Sequence, residues 1–140
     1  MVDILAHNER AAETWSSGGR DYDRISESIS DVLLHAVNRL DPKTGDHILD
    51  VATGKGWTAR LLAGRGTKVT GVDTGQGVID AAKAPSTGVE LHVADTEALP
   101  FDDTSLDAVV STFGVMFVGH RRSRAANSRA SASRAVGWAW

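Results

Sequence analysis

The sequence contains no cysteine among its 140 residues, which excludes disulfide bonds, cysteine zinc sites and a thiol nucleophile. Prolines number only three, and aromatic residues make up 6% of the chain. No apolar run approaches the roughly 20 residues that a membrane-spanning helix requires. The first residues also lack the basic start and apolar core of a secretory signal. These absences predict a cytoplasmic protein that does not insert into a membrane.

Acidic residues are missing from the last part of the chain. All 18 Asp and Glu lie within residues 1–119 together with 10 of the 15 Lys and Arg, so this part has a net charge of −8. Residues 120–140 contain the other five basic residues, all arginines, and have a net charge of +5. Hydrophobic residues make up 41% of the chain, enough for a globular core. We therefore predict one domain over residues 1–119 and an atypical basic tail over residues 120–140.

The stretch from His47 to Ala59 organises the rest of the chain. Residues 47–51, HILDV, have the apolar content of a buried strand, and Gly54 and Gly56 follow where a tight turn favours residues without side chains. A helix then starts at Trp57. A strand, glycine turn and helix together bring backbone N–H groups and the positive end of a helix to the carboxyl edge of the strand. We expect a polar cofactor to bind there.

Two cofactor classes use such a turn. The run from Gly54 to Ala59 fits the G-x-G-x-x-A pattern of dinucleotide-binding folds. Residues 50–56, DVATGKG, instead resemble the D-x-G-x-G-x-G motif of class I S-adenosylmethionine-dependent methyltransferases, with Ala52 in place of the first glycine. The carboxylate of Asp50 repels a pyrophosphate but attracts the ammonium of an aminoacyl sulfonium ligand. Asp50 therefore favours S-adenosylmethionine, and the extra methyl of Ala52 is expected to weaken binding.

Two further predicted strands also end on an acid. Residues 68–72 close on Asp73, 19 positions after Gly54, where a carboxylate can accept hydrogen bonds from both hydroxyls of a ribose. Residues 89–94 close on Asp95. Ligands of open parallel sheets bind beyond the carboxyl ends of the strands. We therefore expect the three carboxylates to share one cleft.

Residues 99–111, LPFDDTSLDAVVS, look like the L-P-F-x-D-x-S-F-D-x-V run of small-molecule methyltransferases of the ubiquinone and menaquinone biosynthesis type. The resemblance to this family covers roughly residues 8–118. It implies that Asp95 accepts a hydrogen bond from the adenine amino group, that Thr96 contacts the ring through its backbone, and that Ser111 lines the cleft. The cofactor site implied in this way contains Asp50, Ala52, Gly54, Gly56, Asp73, Thr74, Asp95, Thr96 and Ser111.

Two helical segments precede the first strand. Residues 1–16 have helical spacing, and the resemblance implies that they form a helical lid over the cofactor. Apolar positions from Ile25 to Leu40 recur at three- and four-residue steps, which predicts one amphipathic helix packed on the sheet and ended by Asp41-Pro42. Tyr22, between the two segments, is either a packing residue or a ligand contact.

The expected fold is α/β. Helices should flank a Rossmann-like, mostly parallel sheet with the strand order 3-2-1-4, in which residues 107–112 form the fourth strand. The resemblance implies that this sheet is incomplete, because the family continues with further helices and three more strands.

The tail from His120 onward does not resemble the family. Its abrupt enrichment in Arg, Ser and Ala is what an out-of-frame reading of GC-rich DNA would give, so we expect a truncated or frameshifted gene. Five arginines also suit phosphate contacts, although the acidic body argues against nucleic acid as a partner. A third interpretation makes residues 120–133 a poor helix and residues 134–140 an edge strand beside the fourth. Without that cover, the fourth strand would be an exposed edge that invites oligomerisation.

No residue stands out as a catalytic acid or base. The five histidines are scattered without metal-ligand spacing, so no metal site is predicted. Methyl transfer from a sulfonium is a one-step displacement that mainly requires positioning. The expected function is S-adenosylmethionine-dependent methyl transfer to a small-molecule acceptor. The alternatives are a non-catalytic remnant that binds the cofactor and a NAD-binding Rossmann module.

Overall fold

The computed structural model describes residues 4–17, 21–101, 106–113 and 132–137. A short 3-10 turn, Ala6–Asn8, precedes the helices α1 (Glu9–Ser17), α2 (Asp21–Ser28), α3 (Ser30–Leu40), α4 (Trp57–Ala63) and α5 (Gln76–Lys83). The strands are β1 (His47–Val51), β2 (Lys68–Asp73), β3 (Val89–Val93), β4 (Leu106–Ser111) and β5 (Ala132–Gly137). No helix within these ranges is long and apolar enough to cross a membrane.

The strands form one parallel sheet with the order β3-β2-β1-β4-β5. β1 lies in the centre and pairs with β2 from His47 opposite Lys68 to Val51 opposite Val72. Since all the pairings are parallel, the carboxyl ends of the strands lie at one edge of the sheet. The predicted α/β fold with the strand order 3-2-1-4 is confirmed.

Apolar side chains cover both faces of the sheet. On one face, Val37 of α3 and Leu62 of α4 pack in a cluster with Ile48 of β1. On the other face, Leu49 belongs to a second cluster that includes Val72 of β2. Successive side chains of a strand point to opposite faces, so Ile48 and Leu49 anchor β1 in both layers. This buried central strand gives the loop that follows it a rigid support.

The single helix predicted from Ile25 to Leu40 is in fact two helices. Ile29 leaves helical geometry at φ −112° and ψ 17°, which separates α2 from α3. α3 buries Leu33 and Val37 as the spacing predicted, but Ile25 in α2 is 55% exposed. An interruption of one residue hardly changes the three- and four-residue spacing, so the sequence pattern could not show it.

The first residues also differ from the prediction of one helix over residues 1–16. Residues 1–3 lie outside the described part, Leu5 is extended at φ −61° and ψ 138°, and α1 begins only at Glu9. The backbone N–H of Leu5 donates to Asp95 Oδ2 at 2.9 Å, a contact 90 residues away in sequence. This tertiary hydrogen bond competes with helix formation at the start of the chain.

β5 covers the edge of β4, from Leu106 opposite Ala132 to Ser111 opposite Gly137. The strand begins two residues before the predicted range 134–140, and residues 138–140 lie outside the described part. Of the poor helix predicted over residues 120–133, residues 120–131 also lie outside it, and the last two belong to β5. Because β4 is covered, oligomerisation through an exposed β4 edge does not apply to this sheet. Oligomerisation by other edges stays a prediction.

Candidate cofactor site

The sheet brings Asp50, Asp73 and Asp95 to one edge. Asp50 lies near the end of β1, Asp73 is the last residue of β2, and Asp95 follows the end of β3 by two residues. The strand order β3-β2-β1 therefore places them in a row. Asp50 and Asp95 are completely buried, whereas Asp73 is half-buried.

Asp50 is a buried carboxylate with an unfilled acceptor position. The hydroxyl of Thr53 donates to its Oδ2 at 2.8 Å, but its Oδ1 has no hydrogen-bond partner of normal geometry in the described structure. Burial raises the pKa of Asp50 to about 7; the Thr53 hydroxyl lowers it, the charge of Asp73 raises it, and the backbone N–H of Ala59 lowers it. A buried oxygen without a partner is costly, so this carboxylate is suited to receive a donor from a ligand.

The glycine loop from β1 to α4 contains three left-handed residues: Ala52 at φ 56°, Gly54 at φ 55° and Gly56 at φ 80°. A Cβ on Gly56 would lie 2.6 Å from the Oγ of Ser86, so that hydroxyl would have to shift. Glycine adopts left-handed angles without steric cost, whereas alanine does not. Gly54 and Gly56 therefore suit the loop, and Ala52 is strained.

Replacing Ala52 by glycine should stabilise the protein. A non-glycine residue in the left-handed region costs about 1–2 kcal/mol, while glycine gives the unfolded chain about 0.5–1 kcal/mol of extra entropy. We expect a net gain of about 1 kcal/mol and a rise in Tm of about 3 °C, measured by calorimetry. As a control, Ala81→Gly at an exposed position of α5 should instead lose about 1 kcal/mol. Similar losses in both variants would contradict the strain at Ala52.

Asp73 connects the glycine loop to the turn after β2 by hydrogen bonds. Its Oδ2 accepts the backbone N–H of Gly54 at 3.0 Å, and its Oδ1 accepts that of Gly75 at 3.2 Å. Burial raises the pKa of Asp73, and the backbone N–H groups of Gly75, Gly54 and Thr74 act in the opposite direction. A carboxylate has about four acceptor positions, so Asp73 keeps room for a hydroxyl of a ribose beside these N–H groups.

Arg60 holds the glycine loop from its outer side, a role that the sequence analysis missed. Its Nη1 donates to the carbonyl of Lys55 at 2.6 Å and to the Oγ of Ser86 at 3.1 Å. The guanidinium also lies 5.1 Å from the ring centroid of Trp57. Arg60 stands four residues after Gly56, one helical turn, and this spacing was the available sign of a contact with the loop.

Removing the Arg60 guanidinium should loosen the loop. Hydrogen bonds to charged groups contribute about 1.5–3 kcal/mol, so Arg60→Met should lose about 2 kcal/mol of unfolding free energy in denaturant titrations. Arg60→Lys should recover part of this loss. The matched control is Arg65→Met, because Arg65 donates to Asn38 Oδ1 on an exposed surface away from the loop. If Arg65→Met lost as much unfolding free energy as Arg60→Met, the contacts of Arg60 with the loop would not explain the loss.

Asp95 is fully engaged by the protein itself. Asn8 Nδ2 donates to its Oδ1 at 3.1 Å and to its Oδ2 at 3.0 Å. The backbone N–H of Leu5 donates to Oδ2 and that of Glu97 to Oδ1, both at 2.9 Å. The neighbouring Thr96 is buried, and its hydroxyl has no hydrogen-bond partner in the part of the chain that the structure describes. The sequence pattern predicts Asp95 and Thr96 as site residues, but it gives no sign of the contact with Asn8.

The carboxyl end of β4 lies at the same edge of the sheet. Ser111 Oγ donates to the carbonyl of Val51 at 2.8 Å, and the hydroxyls of Thr58 and Thr112 lie 2.9 Å apart. The Ser111 side chain therefore joins β4 to β1, which leaves its backbone for the predicted cleft wall. Phe113 has φ 63°, and strained backbone of this kind concentrates at functional sites. In the described ranges, no group of three His, Asp or Glu side chains could hold a metal ion.

Residues 49–137 match the family described as methyltransferase domain. The chain belongs to this methyltransferase domain family. The match ends at the last residue of β5, beyond the 8–118 range of the expected resemblance. The division of the chain at residue 119 and a frameshift as the origin of the tail stay predictions.

The methyltransferase domain is similar to the demethylmenaquinone methyltransferase of Clavibacter sepedonicus, with 39% identity over 77 residues that cover 53% of this chain and 31% of the relative. The TehB-like SAM-dependent methyltransferase of Corynebacterium glutamicum shares the fold at a TM-score of 0.68 and 22% identity, over 83% of this chain and 67% of that one. Phosphoethanolamine N-methyltransferase 2 of Haemonchus contortus, in complex with S-adenosyl-L-methionine, aligns at a TM-score of 0.62 and 28% identity, over 67% of this chain and 24% of that one. The chain spans about a third to a half of the length of the curated relatives it matches.

Proposed function

We propose that this methyltransferase domain binds S-adenosylmethionine and transfers its methyl group to a small-molecule acceptor. The proposal is carried by the Oδ1 of the buried Asp50, beside the glycine loop, which has no hydrogen-bond partner of normal geometry in the described structure. A ligand with an ammonium group supplies both the missing donor and a compensating charge. The pyrophosphate of NAD supplies neither and is repelled by the carboxylate.

The side chains and backbone of the edge suit the parts of this cofactor. Asp50 would hold its amino acid end, and Asp73 would accept hydrogen bonds from the ribose. Asp95 and Thr96 would lie next to the adenine ring, provided that Asp95 gives up hydrogen bonds with the protein. The rest of the proposed site consists of Ala52, Gly54, Gly56, Thr74 and Ser111. The cofactor brings an activated methyl group, and these residues bind and orient it.

A small-molecule acceptor is supported by similarity to a demethylmenaquinone methyltransferase. The net charge of −8 over residues 1–119 gives no attraction for the phosphates of a nucleic acid. Because the displacement needs alignment more than proton transfer, we assign no catalytic base.

Binding is tested by calorimetry and thermal shift with S-adenosylhomocysteine and NAD. We expect S-adenosylhomocysteine to bind with one site per chain and, at a hundredfold excess over its Kd, to stabilise the protein by about 2.7 kcal/mol. Stabilisation by NAD alone, or by neither ligand, would overturn the proposal. Transfer of labelled methyl groups to a panel of quinols, phenols and amines then tests turnover. Binding without any turnover would favour the non-catalytic remnant.

A further inference from the structure

The segment of residues 4–17, which we call the N-terminal strap, crosses the edge of the sheet between β2 and β3. Its first residues bond Asp95 after β3. Its other end packs on the start of α5, where the backbone N–H of Gly77 donates to Ser16 Oγ at 2.9 Å. A Cβ on Gly77 would lie 2.8 Å from the Ser16 carbonyl, so this attachment is close. The strap is therefore fixed on both sides of the place where the base and ribose of the proposed cofactor would lie.

Both carboxylate oxygens of Asp95 already accept hydrogen bonds from the protein. Each carboxylate oxygen accepts about two hydrogen bonds. Three N–H groups reach these oxygens: that of Glu97 donates to Oδ1, that of Leu5 donates to Oδ2, and one of Asn8 Nδ2 is shared between the two. Asp95 is also completely buried. A ligand donor can reach this carboxylate only by replacing one of the present donors.

Asn8 is the donor that chemically resembles the ligand. Its carboxamide presents an NH2 group on a planar carbon, as the exocyclic amine of adenine does, and both groups donate to a carboxylate in the same way. We propose that Asn8 determines how strongly this domain discriminates between bases, because its carboxamide occupies on Asp95 the position that the adenine amine requires. This inference rests on the proposed function. Without the ligand, Asn8 of the strap donates to Asp95 in place of the adenine amine.

A second contact holds the strap in this position. His7 Nε2 lies 2.8 Å from Glu97 Oε2, and the Glu97 side chain is only 5% exposed. Glu97 follows Asp95 by two residues, so both contacts attach the strap to the same turn after β3. The apparent affinity of a ligand is reduced by the fraction of molecules in which its site is taken. The displacement of Asn8 therefore reduces the net free energy that the adenine amine contributes to binding.

The consequence is a base preference that depends on Asn8. S-inosylhomocysteine has an oxygen in place of the exocyclic amine and cannot donate to Asp95 there. In the wild-type protein, S-adenosylhomocysteine exchanges one set of hydrogen bonds on Asp95 for another, so its advantage over S-inosylhomocysteine should be small. In Asn8→Leu, Asp95 has lost the N–H group that its two oxygens share, and the adenine amine can supply a replacement. The ratio of the two affinities should then rise about tenfold, since an unpaired buried acceptor is strongly disfavoured.

Calorimetric titration of both ligands into both proteins measures this ratio. The ratio cancels any general loosening of the strap, which affects the two ligands alike. Thr14→Ala is the control, because the Thr14 hydroxyl bonds the Arg10 carbonyl within α1 on an exposed surface, and its ratio should match the wild type. An unchanged or lower ratio in Asn8→Leu, with both ligands still bound, would overturn the role of Asn8. Failure of every protein to bind S-adenosylhomocysteine would instead overturn the proposed function.

Hydrogen exchange of the wild-type chain covers the case in which Asn8→Leu does not fold. If the adenine amine replaces Asn8 on Asp95, residues 4–8 should exchange faster with S-adenosylhomocysteine present than without it, while α1 keeps its protection. A strap that simply closes over the ligand would give slower exchange of residues 4–8. That result would contradict the replacement.

Discussion

Asp50→Asn is expected to make the ligand-free protein more stable and its ligand binding weaker. Burial raises the pKa of Asp50 from 3.8 to about 7, so the folded state keeps a proton that the unfolded state has lost. The folded state therefore loses stability as pH rises above 3.8, the pKa of Asp50 in the unfolded state. The loss grows up to about pH 7, the pKa in the folded state, and is constant beyond it. At pH 8 it is on the order of 4 kcal/mol. The neutral amide of asparagine has no such penalty.

Denaturant unfolding at pH 4.5, 6 and 8 measures this effect. The stability advantage of Asp50→Asn over the wild type should be small at pH 4.5 and largest at pH 8. Asp31→Asn, at an exposed position of α3, serves as the control and should show no comparable increase with pH. A pH-independent difference between Asp50→Asn and the wild type would argue that Asp50 is ionised in the folded protein throughout this range.

The same substitution should reduce affinity for S-adenosylhomocysteine about a hundredfold, because a hydrogen bond to a charged group contributes about 1.5–3 kcal/mol. In the wild type, binding the ammonium favours the ionised form of Asp50, so affinity should increase as pH rises to about 7. Calorimetry in buffers with different ionisation enthalpies should show a proton released on binding, and none in Asp50→Asn. If Asp50→Asn bound S-adenosylhomocysteine as tightly as the wild type, Asp50 would not contact the ligand.

Asp73→Asn is expected to weaken binding by a similar amount for a different reason. The asparagine amide can keep only one of the two backbone hydrogen bonds from Gly54 and Gly75, and it offers fewer acceptors to the ribose. We expect about a hundredfold loss of affinity for S-adenosylhomocysteine and a loss of about 1–3 kcal/mol in unfolding free energy. Binding is measured by calorimetry and stability by denaturant titration.

A ligand without the 2′-hydroxyl separates the two parts of this effect. Wild-type affinity for the 2′-deoxy form of S-adenosylhomocysteine should be much lower than for the parent, whereas Asp73→Asn should bind the two forms almost equally. Asp80→Asn, on the exposed side of α5, is the matched control and should keep the wild-type preference. If Asp73→Asn retained the full preference for the 2′-hydroxyl, Asp73 would act on the loop and not on the ribose.

The central part of the fold was predictable because its signals are local. A parallel strand buried on both faces is rich in apolar residues, and residues 47–51 and 68–72 carry Ile, Leu and Val at most of their buried positions. The predicted bounds of β1 are those of the structure, and β2 and β4 differ by one residue at their ends. The positions of Asp50, Asp73 and Asp95 followed from the strand ends alone, since parallel strands share an edge.

Contacts between distant residues were decided only by the tertiary structure. Arg60 meets Ser86 across 26 residues, and Asn8 meets Asp95 across 87. No spacing rule relates such pairs, because their approach depends on how helices and loops pack. The same is true of the raised pKa of Asp50, which arises from complete burial, and of its Oδ1, which lacks a hydrogen-bond partner of normal geometry in the described structure.

The sequence by itself thus determined the strands, the glycine loop and the edge to which the acids belong, because periodicity and turn chemistry act over a few residues. It could not show that Asp95 is already hydrogen-bonded to the N-terminal strap, or that Ile29 interrupts a regular helical pattern. Those features depend on competition between local hydrogen bonds and partners brought close by folding. Only the packed chain settles that competition.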